Sequence, residues 1–111
     1  MIRRGLGDDR GSVVAEFAIA LPAVALVLLM GAGALSTCAQ QVRLQDAAAD
    51  AARLSARGES DARARAAVSA AVPGAAVDIG ARGDLVCVTA SANSSLPITL
   101  SATSCALAGG L

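Results

Sequence analysis

Residues 11–42 read GSVVAEFAIALPAVALVLLMGAGALSTCAQQV. From Phe17 to Val42 no charged residue occurs over 26 positions, more than the ~20 apolar residues that carry a helix across a bilayer. Glu16 stands at the mouth of this run. A carboxylate inside hydrocarbon costs roughly 2.5 kcal/mol or more at the bilayer centre and less near the interface, so a glutamate in that place implies a task. Pro22 lies inside the run. It removes one helical hydrogen bond and tends to kink a helix interior, at a smaller cost near the first turns.

Upstream, residues 1–11 are short, polar and basic, with Arg3, Arg4 and Arg10 offset by Asp8 and Asp9. Downstream the helical pattern continues but changes character. Asp46, Asp50, Arg53 and Arg57 recur at steps of four, three and four, which places them on one stripe. Leu44, Ala47, Ala48, Ala51 and Leu54 form an apolar stripe opposite. Nothing breaks the pattern before Gly58, so a helix from about Ser12 to Arg57 is expected. Ser60 suits the N-cap of a second helix, Asp61 to about Ala71, with Asp61 favourably placed in its first turn. Pro73-Gly74 ends it.

The period then changes. Val77 and Ile79 alternate with Asp78 and Gly80. The stretches from Leu85 to Ser91 and from Ile98 to Ala106 are rich in Val, Ile and Thr, with turn-forming residues at Ala92-Asn93-Ser94-Ser95. Two or three short antiparallel strands follow, marginal alone and in need of a helix or a partner to lean on. The expected fold class is α+β. Its organisation is a leader (1–11), a membrane-spanning and projecting helix (12–58), a short helix and turn (59–74) and a small strand-rich tail (75–111).

Composition narrows the function. Of the 111 residues 55% are apolar, yet Phe17 is the one aromatic. Alanine supplies much of the apolar content and buries little area, so a large water-soluble core is not expected. Charges balance at nine of each sign, which gives no reason to expect nucleic acid as a partner. All basic residues are Arg and His is absent, removing the usual general base and the commonest metal ligand. No catalytic pair, cofactor motif or metal-binding cysteine pair is legible, and the chain reads as a non-enzyme without cofactors.

Other targeting signals are weaker. Ala32-Gly33-Ala34 has the form of a signal-peptidase site, but the apolar run is much longer than a signal peptide's and Glu16 is misplaced for one. Leu35-Ser36-Thr37-Cys38 departs from a lipobox at Thr37. Arg3-Arg4 lacks the rest of a twin-arginine signal. The small residues around Gly31 to Leu35 suit either helix packing in a bundle or lipid contact.

Three cysteines remain. Alternation puts Cys87 with Thr89 and Ser91, and Cys105 with Thr99, Ser101 and Thr103, all on the polar side of the predicted strands. A cross-strand disulfide is open to them if the register allows it. Direct pairing of Cys87 with Cys105 centres the turn on Leu96, whereas the turn-forming residues centre nearer Ser94. Cys38 reads as a small apolar helix residue, with an intermolecular disulfide as the alternative.

The step from Gly11 to Glu16, followed by Phe17, resembles the processing site of type IVb prepilins. Ala15-Glu16-Phe17 and Pro22, after a short basic leader, most resemble the TadE-like minor pilins or pseudopilins of tight-adherence (Flp) pilus and related secretion systems. The Ala-rich helix with a small strand-rich tail is similar to their shortened actinobacterial forms. The resemblance covers roughly residues 1–58. It implies cleavage between Gly11 and Ser12 by a prepilin peptidase, and an assembly role for Glu16 and Phe17 with other pilin subunits and the assembly platform. It also implies residence in the cytoplasmic membrane before any entry into an extracellular fibre. Arg3, Arg4 and Arg10 would hold the N-terminus inside and leave the C-terminus outside. The competing expectation is an uncleaved single-pass anchor whose tail binds an envelope partner.

Overall fold

The computed structural model describes residues 2–109, and of residues 2–9 the backbone alone. The side chains of Arg3 and Arg4, and the first and last positions of the expected leader and tail, lie outside the described residues. The element order is α1 (Ile2–Ala56), α2 (Asp61–Ala71), β1 (Ala76–Arg82), β2 (Leu85–Asn93) and β3 (Thr99–Leu107). Two compact units divide the chain, Met1–Ala34 and Leu35–Leu111, and α1 contributes to both.

The first unit is helical throughout its described residues. Here α1 starts ten residues earlier than the Ser12 boundary expected from the sequence. The change to a polar composition removes the apolar face but introduces no proline, so the helical backbone continues across it. Pro22 sits inside the helix. Among the described residues one helix is long and apolar enough to cross a membrane, and none of its most apolar stretch is buried.

The second unit is a small α+β head. The last part of α1 and the whole of α2 cover one face of a three-stranded antiparallel sheet in the order β1-β2-β3. Its core joins Leu44, Ala48, Ala51 and Ala52 of α1, Ala64 and Val68 of α2, and Val88, Ala90 and Ala102 of the sheet. Eight of the thirteen core residues are alanine, so helix and sheet backbones can approach closely. The expected apolar stripe on α1 is buried except at Leu54, which is half-buried, and it widens to include Ala52 and Ala56.

Local chemistry sets the boundaries. Gly58 has φ +88°; Gly58 N–H donates to Ser55 O and Glu59 N–H to Leu54 O, the paired bonds of a Schellman motif that closes a helix. The Ser60 side chain accepts from Arg63 N–H at 3.2 Å and caps α2, as expected. Arg82 pairs with Leu85 across the two-residue loop Gly83-Asp84, with Gly83 at φ +61°, the position that a type II′ hairpin turn assigns to glycine.

The β2–β3 turn differs from expectation. Ala92 and Asn93 belong to β2 and pair with Leu100 and Thr99, whereas Ile98 lies outside β3. The loop is residues 94–98. Burial explains the shift: Ala92 and Leu100 face each other in the core, which extends the ladder past the polar residues that suggested a turn. Ser94 then closes the loop, its Oγ bonding to Leu96 O and Ile98 O at 3.0 Å each.

Candidate functional site

In the first unit, Gly11, Ser12, Glu16 and Phe17 are all exposed on α1. A Cβ placed on Gly11 would meet nothing within 4 Å. Packing within the described chain therefore gives no reason for glycine there. Glu16 has Ser12 one turn before it and Ala20 one turn after it, so the flanking turns offer no side-chain cation. Phe17 is 64% exposed beside it. The carboxylate and the aromatic ring are presented outward at the start of the apolar run.

In the head, β2 and β3 place Cys87 directly opposite Cys105. The two are joined as a disulfide with Cα atoms 4.0 Å apart. Such a short separation is that of a non-hydrogen-bonded antiparallel pair, whose side chains lie close. Two residues along the strands the same geometry brings Thr89 Oγ1 to 3.0 Å from Thr103 Oγ1. The turn centred on Leu96 is thus the one that forms. Cys38 is an exposed free thiol.

That parity has a second effect. Residues of β3 in non-hydrogen-bonded pairs turn their carbonyls away from β2, toward the open edge of the sheet. Two of these carbonyls, Ser101 O and Thr103 O, accept from Gln41 Nε2 at 2.9 Å and Gln45 Nε2 at 3.3 Å. Gln40 Nε2 donates to Asn93 O at 3.0 Å. A step of four along a helix rises ~6.0 Å and a step of two along a strand ~6.6 Å, so one pair of glutamines matches alternate strand residues. On the opposite edge, Arg65 Nη1 donates to Val77 O of β1 at 2.6 Å. Both sheet edges therefore receive donors from helix side chains. Sequence reading missed these roles. The only signal is three amides, at 40, 41 and 45, beside the apolar stripe that begins at Leu44.

Ser36, Ala39, Gln40 and Arg43 of α1 line a cleft of about 290 Å³ with Ala71, Val72 and Pro73. Its single charge, Arg43, has no acid or base beside it among those residues. Among the described residues no cluster of three or more His, Cys, Asp or Glu side chains is placed to hold a metal. The structure thus brings Cys87 and Cys105 together, and groups Gly11, Ser12, Glu16 and Phe17 along a few turns of one helix.

No protein-family model matches the chain, and no solved structure matches it. A Mycobacterium tuberculosis (strain ATCC 25618 / H37Rv) protein named apoptosis inhibitor Rv3655c is 38% identical over 85 residues, spanning 77% of this chain and 68% of the relative. With that identity over more than two thirds of both proteins, the chain belongs to the family of this mycobacterial protein.

Proposed function

We propose that the chain is a TadE-like minor pilin or pseudopilin of a tight-adherence (Flp) pilus or related secretion machine, cut by a prepilin peptidase after Gly11. The observation that carries this reading is an exposed Glu16, five residues after a glycine that packing does not require, at the start of an uncharged helical run whose large side chains are exposed. Cleavage exposes a positive amine on Ser12. Glu16, one turn later, then pairs with that amine in its own subunit or a neighbour, because an unpaired carboxylate at the membrane edge is costly. The resulting register drives assembly. The leader stays in the cytoplasm, by the positive-inside rule, and the head lies outside. The Cys87–Cys105 disulfide supports an exported head, since such bonds persist in oxidising compartments.

One observation favours the second reading, an uncleaved anchor whose head binds an envelope partner: Gly11 lies within helical backbone, where a peptidase has less access than in an extended segment. Co-expression with a cognate prepilin peptidase followed by N-terminal sequencing separates the two. The first reading expects a chain beginning at Ser12, abolished by Gly11→Ala. A chain still beginning at Met1 refutes processing and leaves the anchor; one beginning at Leu35 refutes both. Glu16→Ala is expected to insert normally and to fail in assembly. The relative's name raises inhibition of apoptosis as a further role, tested by host-cell survival on exposure to the full chain; unchanged survival sets it aside.

A further inference from the structure

We propose that the β2–β3 loop, residues 94–98, is a second membrane contact, seating Leu96 and Ile98 in the interfacial layer of the bilayer that α1 spans. The inference rests on the membrane reading of α1 given above. At this end of the head Leu96 is 41% and Ile98 50% exposed, as Leu85 (39%) and Leu107 (51%) are at the other; what sets the loop apart is its place along α1 and the absence of charge around it. Leu96 and Ile98 lie in a five-residue loop that Pro97 and the Ser94 hydrogen bonds hold in shape.

The direction of the strands places that loop. The bonds from Gln41 to Ser101 and from Gln45 to Thr103 show that β3 runs in the same sense as α1. Its antiparallel neighbour β2 runs the opposite way and ends at Asn93, whose carbonyl is held by Gln40. The loop therefore continues from the level of Gln40 back toward that of Leu35, the 74% exposed residue near the end of the apolar run. Five helical residues rise ~7.5 Å, about the thickness of one headgroup layer. A loop entering that layer exposes apolar side chains to lipid at little cost, as interfacial segments do.

Charge is distributed to match. From Leu85 to Leu111 the chain carries none. At the end of the head away from the loop, Arg57 and Glu59 follow α1, Arg82 precedes the β1–β2 turn and Asp84 lies in it. At the loop end the cleft beside Gln40 holds Arg43 alone. A long cationic side chain at that depth can keep its stem along apolar surface and its head among lipid phosphates.

The chain contains no Trp, so single tryptophans report on chosen sites. The full chain is reconstituted as Val27→Trp, Leu96→Trp and Leu107→Trp in phosphatidylcholine–phosphatidylglycerol vesicles carrying brominated acyl chains. Leu107 is exposed at the far end of the head. Val27→Trp is expected to be quenched by bromines deep in the chains. Leu96→Trp is expected to shift to the blue and to be quenched by bromines near the glycerol, with Leu107→Trp unquenched and water-like. Ile98→Trp repeats the measurement if Leu96→Trp fails to fold. Quenching at Val27 with none at Leu96 or Ile98 overturns this inference alone. A blue shift at Leu96 without quenching means a protein contact and also overturns it. No quenching at Val27 overturns the membrane reading and this inference with it.

Discussion

Between Val13 and Leu35 the apolar side chains of α1 are large and exposed: Phe17 is 64%, Ile19 73% and Leu29 71% accessible. Between Leu44 and Ala56 they are mostly alanines and buried, with Ala48, Ala51 and Ala52 fully covered. The two stretches share one secondary structure and differ in burial. Fully burying a Leu or Ile side chain is worth ~1.5–3 kcal/mol. A row of them left open is compatible with the membrane span proposed above. Alanine offers about one methyl's worth of burial, near 0.8 kcal/mol on the same scale. The head therefore gains little per residue from its core. It depends more on a covalent crosslink, capped helix ends and side-chain donors along its sheet edges.

The contrast breaks most sharply in the span. Leu26→Arg, an arginine near the middle of the apolar run, is expected to cost ~2.5–3.5 kcal/mol of insertion while the head keeps its hydrogen-exchange protection. Carbonate extraction of membranes reads the first effect. If the variant stays as firmly in the membrane fraction as the parent, the exposed row is not in hydrocarbon.

Opening the crosslink is next. Cys87 and Cys105 lie 18 positions apart, and closing a loop of that size contributes ~3 kcal/mol in the chain-entropy picture. Cys87→Ala or Cys105→Ala should make the head markedly more sensitive to protease, and Cys38→Ala should not. Equal resistance in all three would show that the small core suffices alone.

Enlarging a small residue sharpens the comparison. Ala48→Leu is expected to destabilise the head by ~1–3 kcal/mol through overpacking. Ala25→Leu, in the exposed stretch, should leave it unchanged. Denaturant titration in micelles, followed by exchange of the β2 amides, distinguishes them. Equal effects would mean that the alanines do not set the spacing of helix and sheet.

The smallest effect concerns the edge. Gln41→Ala and Gln45→Ala each remove one hydrogen bond, worth ~0.5–1.5 kcal/mol, and reopen carbonyls of β3. Faster amide exchange confined to β3, with more self-association as the edge becomes available, is the expected outcome. The exposed Asp50–Arg53 pair at 3.4 Å should give less than either, because surface ion pairs contribute little.

Much of this architecture was legible in the residues alone. The uncharged run, the N-cap at Ser60, the break at Gly58 and the switch to strand alternation at Val77 each rest on local chemistry. Local interactions act over a few residues, so sequence reports them directly. The candidate group at Gly11, Ser12, Glu16 and Phe17 rests on the same kind of local spacing, along a single helix.

What needed the tertiary structure was every relation between segments far apart in sequence. The β2–β3 turn fell on residues 94–98 because Ala92 and Leu100 share a core, a fact that the polar residues around Ser94 conceal. The pairing of Cys87 with Cys105 followed from that register. The glutamines of α1 met the carbonyls of β3 because helix and strand rises nearly match at steps of four and two. Sequence alone determined which segments are helical, extended or apolar, since those preferences are set by neighbours along the chain. Only the fold decided which small residues were covered and which carbonyls faced the sheet edge, because burial and hydrogen-bond direction depend on what packs across from each residue.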